Sequence, residues 1–439
     1  MKPILLTLML VPLAGCLDLF DGSDPFDRPL DSLNFDAPDG AADADDITWP
    51  DLSGATLDIL DHGAFPVCAD AAARFEELTG AEVTCTSEDD TGSALNRAIR
   101  DAGDPEFDII YGIDNVLLKT ALDGGVLEPY TPQLASRVPE AYRFFAHSHE
   151  DMDDHDHEWP ATPVDHGYIA LNVDQQSDLL DTHEQDGCPT PKATTEPDNV
   201  TTLIEDLADV RAAACLFVTQ DPRLSTPGLG FMLITIATFG EEGPNNPYDW
   251  LDYWDDLYTG GVRVTPDWTE AYVTYYSGGY GIWEEGHIGD RPIVTSYTES
   301  PAYEWYYDEV CPRDTPSVCD YAPGGHYGSN ESALPTVVLD GPSAFHQIQT
   351  MGILKGTKDL AVAQAWIEFT LTDDFQIHAA RDLAVYPVVD TIDVSDVYGG
   401  VDPTPGSFEV ADLSYEHIGA NLDAWLDAWT DLCEQHDCA

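Results

Sequence analysis

The chain reads as an α/β protein of two lobes, each a mostly parallel sheet flanked by helices. Three observations predict this. Strand-like and helix-like segments alternate from about residue 51 onward, and 439 residues exceed what a single hydrophobic core usually supports. Two extended segments also lie where the chain would pass from one lobe to the other.

Taken in order, Ala55–Leu60 is strand-like and Ala69–Leu78 helical, stopped by Gly80. Glu82–Cys85 is strand-like and Gly92–Ala102 helical. Phe107–Tyr111 is a third strand, and Val116–Leu122 a helix stopped by Gly124-Gly125. This βαβαβ run predicts parallel pairing under a layer of helices. Ligands of such sheets sit outside the carboxyl ends of the strands. Those ends carry Asp61-His62, Asp89-Asp90 and Asp114-Asn115. Gly167–Val173 and His346–Leu354 are the expected crossover segments, which assigns residues 51–165 with 346–439 to lobe 1 and 166–345 to lobe 2. Helix Leu360–Phe369 would return to lobe 1. The stretch Ile418–Leu432 has aromatic and leucine spacing suited to packing on a lobe surface.

The first residues place the chain outside the cytoplasm. Lys2 precedes the apolar run Ile4–Leu13, too short to span a bilayer, and Leu13-Ala14-Gly15-Cys16 follows. Residues 1–16 therefore look like a lipoprotein signal, with Cys16 as the lipid-bearing residue; a plain secretory signal with a chance cysteine is the alternative. Residues 17–50, rich in Asp with Gly, Ala, Pro and Ser, read as a disordered acidic tether, because they offer little apolar surface to offset chain ordering. The eight further cysteines suit an oxidising compartment. Proximity suggests the pairs Cys68–Cys85, Cys188–Cys215, Cys311–Cys319 and Cys433–Cys438. Seventeen basic residues against 82 acidic ones leave a net charge of −65, which disfavours nucleic acid and anionic lipid as partners and fits a salt-adapted surface.

The stretch Gln220–Gly230 is the most informative local signal. It links the strand-like Cys215–Val218 to the helical Phe231–Ala237, with Ser225 or Thr226 as cap and Pro227 in the first turn. Free N–H groups, a hydroxyl and the nearby Arg223 would favour an anion such as phosphate, although a helix start with no ligand has the same appearance. Trp268 follows the strand-like Val262–Val264, where a helix is expected from Thr265. Tyr297 and Tyr303 follow the strand-like Pro292–Thr295. Aromatics at strand–helix junctions can line a cleft and hold a flat ring or a delocalised cation; they are equally at home in a core.

From about Leu57 to Val388 these segments, in this order, resemble the substrate-binding proteins of bacterial thiamine ABC transporters. The resemblance rests on Tyr111-Gly112-Ile113-Asp114-Asn115, Asp165-His166-Gly167-Tyr168, Gln220–Gly230, Trp268-Thr269-Glu270-Ala271-Tyr272, Ser296–Tyr303 and Tyr386-Pro387-Val388. It implies a two-lobed, type II periplasmic-binding-protein fold that closes on thiamine or its phosphates and delivers them to a membrane permease. It also implies a monomer, periplasmic or at the cell surface, with a lipid anchor as its tie to the membrane. Trp268, Tyr297 and Tyr303 match aromatics that sandwich thiamine, Asp90 an acidic contact, and Ser225 a serine on the phosphate side. Asp114 and Asn115 lie on a matching strand end. The chain departs from the family pattern at His62, where the family has a tyrosine, and at Leu383-Ala384-Val385, where it has a tryptophan.

The alternatives are a carrier of another small ligand (ferric iron, a polyamine or another organic cation) and a histidine-rich zinc or copper protein. The latter rests on Phe145–Glu158, which holds His147, His149, His155 and His157 among acidic residues; a solvated acidic insertion is the plainer account. No GxSxG, HExxH, P-loop or GxGxxG sequence occurs, so no catalytic residue, cofactor or resident metal is expected.

Overall fold

The computed structural model describes residues 42–62, 65, 68–88, 91–144, 158–174, 207–276, 289–300, 336–338, 344–383, 385–392, 394 and 410–436. Cys16, Asp89, Asp90, the histidine tract 145–157, Tyr303 and Ala384 lie outside the described residues, as do Cys188, Cys311, Cys319 and Cys438.

Among the described residues, eleven strands form one sheet. They are β1 (Thr56–Asp61), β2 (Glu82–Ser87), β3 (Ile109–Asp114), β4 (Leu127–Glu128), β5 (Thr162–Asp174), β6 (Phe217–Gln220), β7 (Arg263–Thr265), β8 (Ile293–Tyr297), β9 (Thr336–Val338), β10 (Phe345–Leu354) and β11 (Tyr386–Pro387). The main path runs β2-β1-β3-β10-β5-β8-β6-β7, with β9 and β11 on β5 and β4 on β10. β1 pairs in parallel with β2 and β3, and β6 in parallel with β7 and β8. Between these two parallel groups lie β10 and β5, antiparallel to each other and to their outer neighbours. The two segments expected to cross between lobes are thus the two central strands. β10 also changes register beside Gln349, Thr350 and Met351 on both of its edges, an irregularity of the kind that bends a strand.

The helices follow the expected alternation: α1 (Cys68–Thr79), α2 (Thr91–Arg100), α3 (Leu118–Gly124), α4 (Leu207–Ala212), α5 (Thr226–Phe239) and α6 (Trp250–Gly260). Gly125, left-handed at φ 61°, ends α3, and Asp249 closes a capping box on α6. α5 carries apolar residues on every side and is correspondingly buried, from Pro227 through Ile236 with one break at Leu229. Helix Leu360–Thr370 is buried along most of its length too. The last helix, Tyr415–Gln435, buries Ile418, Leu422, Trp425, Trp429 and Cys433 as a single stripe. It reaches both α3, where Gly419 meets Lys119, and α6, where Trp429 meets Trp254 edge-on at 5.6 Å. A buried aromatic of this size contributes about 2–3 kcal/mol through the area it removes from water.

Three expectations shift. The tether does not extend to Pro50, because residues 42–50 are packed. Ala44 is buried, Trp49 donates to the Ala44 carbonyl, and its ring meets Phe75 and Phe369. Ile47 and Trp49 supply the apolar surface that the Asp-rich part lacks. The strand expected at Cys215–Val218 starts later, because Ala214–Leu216 forms a 3-10 turn first. The helix expected from Thr265 also starts later, since Thr265 still pairs with Gln220; Glu270–Tyr276 then forms a π-helix, with the Glu270 amide donating to Asp267 Oδ1 at 2.7 Å. Of the expected disulfides, Cys68–Cys85 is present and ties α1 to β2. Cys215 and Cys433 are each disulfide-bonded, and the partners expected for them lie outside the described residues.

Candidate ligand site

Strand direction brings the site together. β3 ends at Asp114, opposite Gln349 of β10, which in turn pairs with Asp165 of β5. β8 runs the opposite way to β3 and ends at Tyr297, opposite Ile169 of β5. The carboxyl ends of the two parallel groups therefore face each other along Asp165–Ile169. Parallel sheets place ligands at such ends.

On one side of this gap stands Tyr111, whose hydroxyl donates to Asp165 Oδ2 at 2.8 Å. His62 stacks on the Tyr111 ring, with centroids 5.4 Å apart, and its Nε2 lies 3.2 Å from Gln349 Oε1. Gly112 makes room for it: at φ +98° it adopts a conformation L side chains avoid, and a Cβ there would come within 2.0 Å of the His62 ring. Asp114 and Asn115 hold the end of β3 in place. Asp114 Oδ1 accepts from the amides of Val116 and Leu117, and its Oδ2 from Gln347 Nε2. The Asn115 side chain donates to the His346 carbonyl and accepts from the Ile348 amide. The polar atoms of both side chains are thus committed to the chain itself.

On the other side, Trp268 donates its indole N–H to Ser296 Oγ at 2.9 Å, and one face rests on Tyr272 at 4.8 Å. Ser296 Oγ also lies 2.8 Å from Ser300 Oγ. This small network fixes Trp268 beside the end of β8, where Tyr297 is half-buried. Ser225 takes the cap position of α5 in extended backbone, and its hydroxyl makes no capping bond. Gly228 lets the start of α5 approach the end of β6, since a Cβ would lie 2.3 Å from the Gln220 carbonyl oxygen. Arg223 is not aimed at an anion: its guanidinium binds Asp221, with Nε 2.9 Å from Oδ1, and covers the Trp429 ring.

Two carboxyl groups occupy the floor. Thr298 N donates to the Tyr168 carbonyl at 2.8 Å, which turns Glu299 over Gly167; a Cβ on Gly167 would be 3.1 Å from Glu299 Oε1. Burial pushes the Asp165 carboxyl up to about 7, held back only by the Tyr111 bond. Burial pushes Glu299 up to about 8 despite nearby Thr298 and Tyr168 donors, with the Asp165 charge adding to the rise. Burial raises Tyr297 as well, and Glu299, Asp114 and Asp165 act on it in the same sense. Reasoning from the sequence missed Asp165, Glu299 and Tyr111 as site residues. The available signal was an ionisable residue inside an apolar strand, Val164-Asp165-His166-Gly167-Tyr168-Ile169.

Among the described residues, no group of three or more His, Cys, Asp or Glu is placed to hold a metal, and no helix is long and apolar enough to cross a membrane. No protein-family model matches the chain.

Solved structures of periplasmic binding proteins share the fold. Ferric ion-binding protein A of Pasteurella haemolytica, in its apo form, superposes with a TM-score of 0.58 at 14% identity, covering 87% of this chain and 98% of that one. A periplasmic thiamin binding protein superposes at 0.53 and 20% identity, covering 86% and 96%. The chain thus has the fold of the periplasmic binding proteins. Within that class the chain is similar to the thiamine-binding periplasmic proteins of Escherichia coli, 24% identical over 84% of this chain and 88% of the relative, and of Salmonella typhimurium, 23% identical over 81% and 85%. That of Brucella melitensis is 29% identical over 54% and 55%.

Proposed function

We propose that the protein captures thiamine or a thiamine phosphate between the facing strand ends and passes it to the permease of an ABC transporter. The observation that carries this reading is Trp268, held by Ser296 next to Tyr297, on which the buried carboxyls of Glu299 and Asp165 act. An aromatic wall over an acidic floor suits a flat ring bearing positive charge, at about 0.5–2 kcal/mol per cation–π contact. Similarity to thiamine-binding relatives over more than four-fifths of the chain supports the same ligand. Ser225, whose hydroxyl is not used in capping, would face the phosphate end. Asp90 and Tyr303 complete the proposed contacts, with His62 as a ring at the rim.

The working unit would be a monomer tied to the membrane through lipid on Cys16, with lobes divided at the two central strands and closing on the ligand. Mass spectrometry of the mature N-terminus decides the anchor, since an unmodified chain beginning elsewhere rules it out.

Ferric iron is the second reading, favoured by structural neighbours such as iron-bound HitA of Pseudomonas aeruginosa, with a TM-score of 0.57 at 15% identity. Tryptophan fluorescence titrations with thiamine, its mono- and diphosphate, ferric citrate and spermidine separate these readings. Saturable quenching by a thiamine compound is expected. A response to ferric citrate alone would replace thiamine with iron.

A further inference from the structure

Glu299 is completely buried, and neither carboxyl oxygen has a hydrogen-bond donor at bonding geometry. Asp165 is 2% exposed, with Oδ2 held by Tyr111 and Oδ1 without a donor. Buried carboxylate oxygens left in this state are costly, on the order of 1–3 kcal/mol each, so they persist where something else supplies the donors. Both groups lie along the Asp165–Gly167 segment onto which the strand ends converge, and the Asp165 charge acts on Glu299.

We propose that Asp165 and Glu299 form an acidic socket for the N–H-bearing part of an organic cation, an amino-substituted ring in a ligand that carries its fixed positive charge elsewhere, with Tyr111 and Tyr297 as its walls. This rests on the reading that an organic cation binds at these strand ends. It adds two residues of this chain as determinants of ligand class: a solute without N–H donors would leave the socket's oxygens unpaired, whereas a ring bearing such donors satisfies them.

The socket also carries a proton balance. Without a ligand, the two carboxyls retain a proton near neutral pH, because burial disfavours charge on both and the Asp165 charge adds to the effect on Glu299. Entry of a ligand that carries a fixed positive charge and separate N–H donors replaces that proton: the fixed charge balances the carboxylate, the N–H groups donate to its oxygens, and the proton leaves to solvent. Other ionisable groups face the pair from each neighbouring strand. The charge of Asp61 of β1 acts on Tyr111 of β3, and Asp114 ends β3. Tyr168 of β5 and Tyr297 of β8 complete the surroundings, with His62 over Tyr111. The adjoining His166–His346 pair, with nitrogens 3.2 Å apart, is held neutral by burial, its members near 3 and 4, and does not compete for this proton.

The test is calorimetric titration at about neutral pH in two buffers of different ionisation enthalpy. It uses the intact protein, Glu299→Gln and Asp165→Asn, with thiamine, oxythiamine (which lacks the exocyclic amino group) and spermidine as probes. The expected result is release of roughly one proton per thiamine bound, with loss of that release and roughly tenfold or more weaker binding in Glu299→Gln. Oxythiamine should bind roughly tenfold more weakly than thiamine to the intact protein, and this discrimination should shrink in the variants. Thiamine binding without proton release, or unchanged in both variants, overturns the socket and leaves the thiamine reading standing. If no thiamine compound binds, the thiamine reading fails; spermidine binding with a proton release that Glu299→Gln removes still supports the socket, and its absence overturns it. Asp165→Asn gives the same readout should Glu299→Gln not fold.

Discussion

The Tyr111 hydroxyl donates to Asp165 Oδ2 at 2.8 Å, spanning from β3 to β5 over the intervening β10. This one bond joins the first parallel group to the central strand that leads into the second. It is also the only donor that Asp165 has among the described residues.

Tyr111→Phe should therefore cost about 1–3 kcal/mol, because it leaves a second buried carboxyl oxygen unpaired. It should also push the Asp165 carboxyl above its value of about 7, since the Tyr111 bond is what lowers it. Urea denaturation near neutral pH checks the first, and carboxyl NMR titration the second. Unchanged stability would mean that Asp165 finds another donor.

Trp268→Ala should weaken every thiamine form by about 1–3 kcal/mol if the ligand ring stacks on the indole. The change also removes the donor to Ser296, so circular dichroism should accompany the fluorescence titration. Equal affinity in the variant would remove Trp268 from the site.

Ser225→Ala should weaken thiamine phosphates more than free thiamine, because only they bring an anion to the start of α5. Its hydroxyl makes no capping bond, so helix stability should change little. A uniform loss across all forms would argue that Ser225 shapes the loop and does not meet the phosphate.

Glu299→Gln should stabilise the protein at alkaline pH. Burial raises the folded carboxyl from its ordinary 4.5 to about 8, so the folded chain keeps a proton that the unfolded chain has released. Wild-type stability from this group is full below about pH 4.5 and declines as pH rises toward about 8. The variant lacks that decline and should gain on the order of 1–3 kcal/mol at pH 8 relative to pH 5. Thermal melts at the two pH values decide it, and a gain at acid pH instead would reverse the assignment.

Replacing Cys68 and Cys85 together by serine should cost about 3 kcal/mol, as expected for a disulfide closing a loop with a sequence separation of 17. Denaturation of the double variant under the same conditions gives the value. No loss would mean that α1 and β2 are held by packing alone.

The amino-acid sequence by itself determined the alternation of elements, because apolar periodicity and glycine stops are local properties. Gly80 and Gly125 end their helices where expected, with φ of +79° and +61°. It also marked Ser225, Trp268 and Tyr297 at strand–helix junctions, and the two segments that became β5 and β10. Element boundaries were less legible: the tether extended too far because Trp49 meets Phe75 and Phe369, and Ile47 joins Leu134 and Val138, only in the fold. Only tertiary structure decided that Asp114 and Asn115 are consumed in holding a strand end while Asp165 and Glu299 are left with unpaired oxygens. All four are acidic or amide residues in a chain with 82 acidic residues, so composition cannot rank them. Whether a carboxyl is satisfied depends on donors far away in sequence: Gln347 reaches Asp114 across 233 positions, and Tyr111 reaches Asp165 across 54. The pairing of strands that run in opposite directions, a non-local property, brings those donors to some carboxyls and withholds them from others.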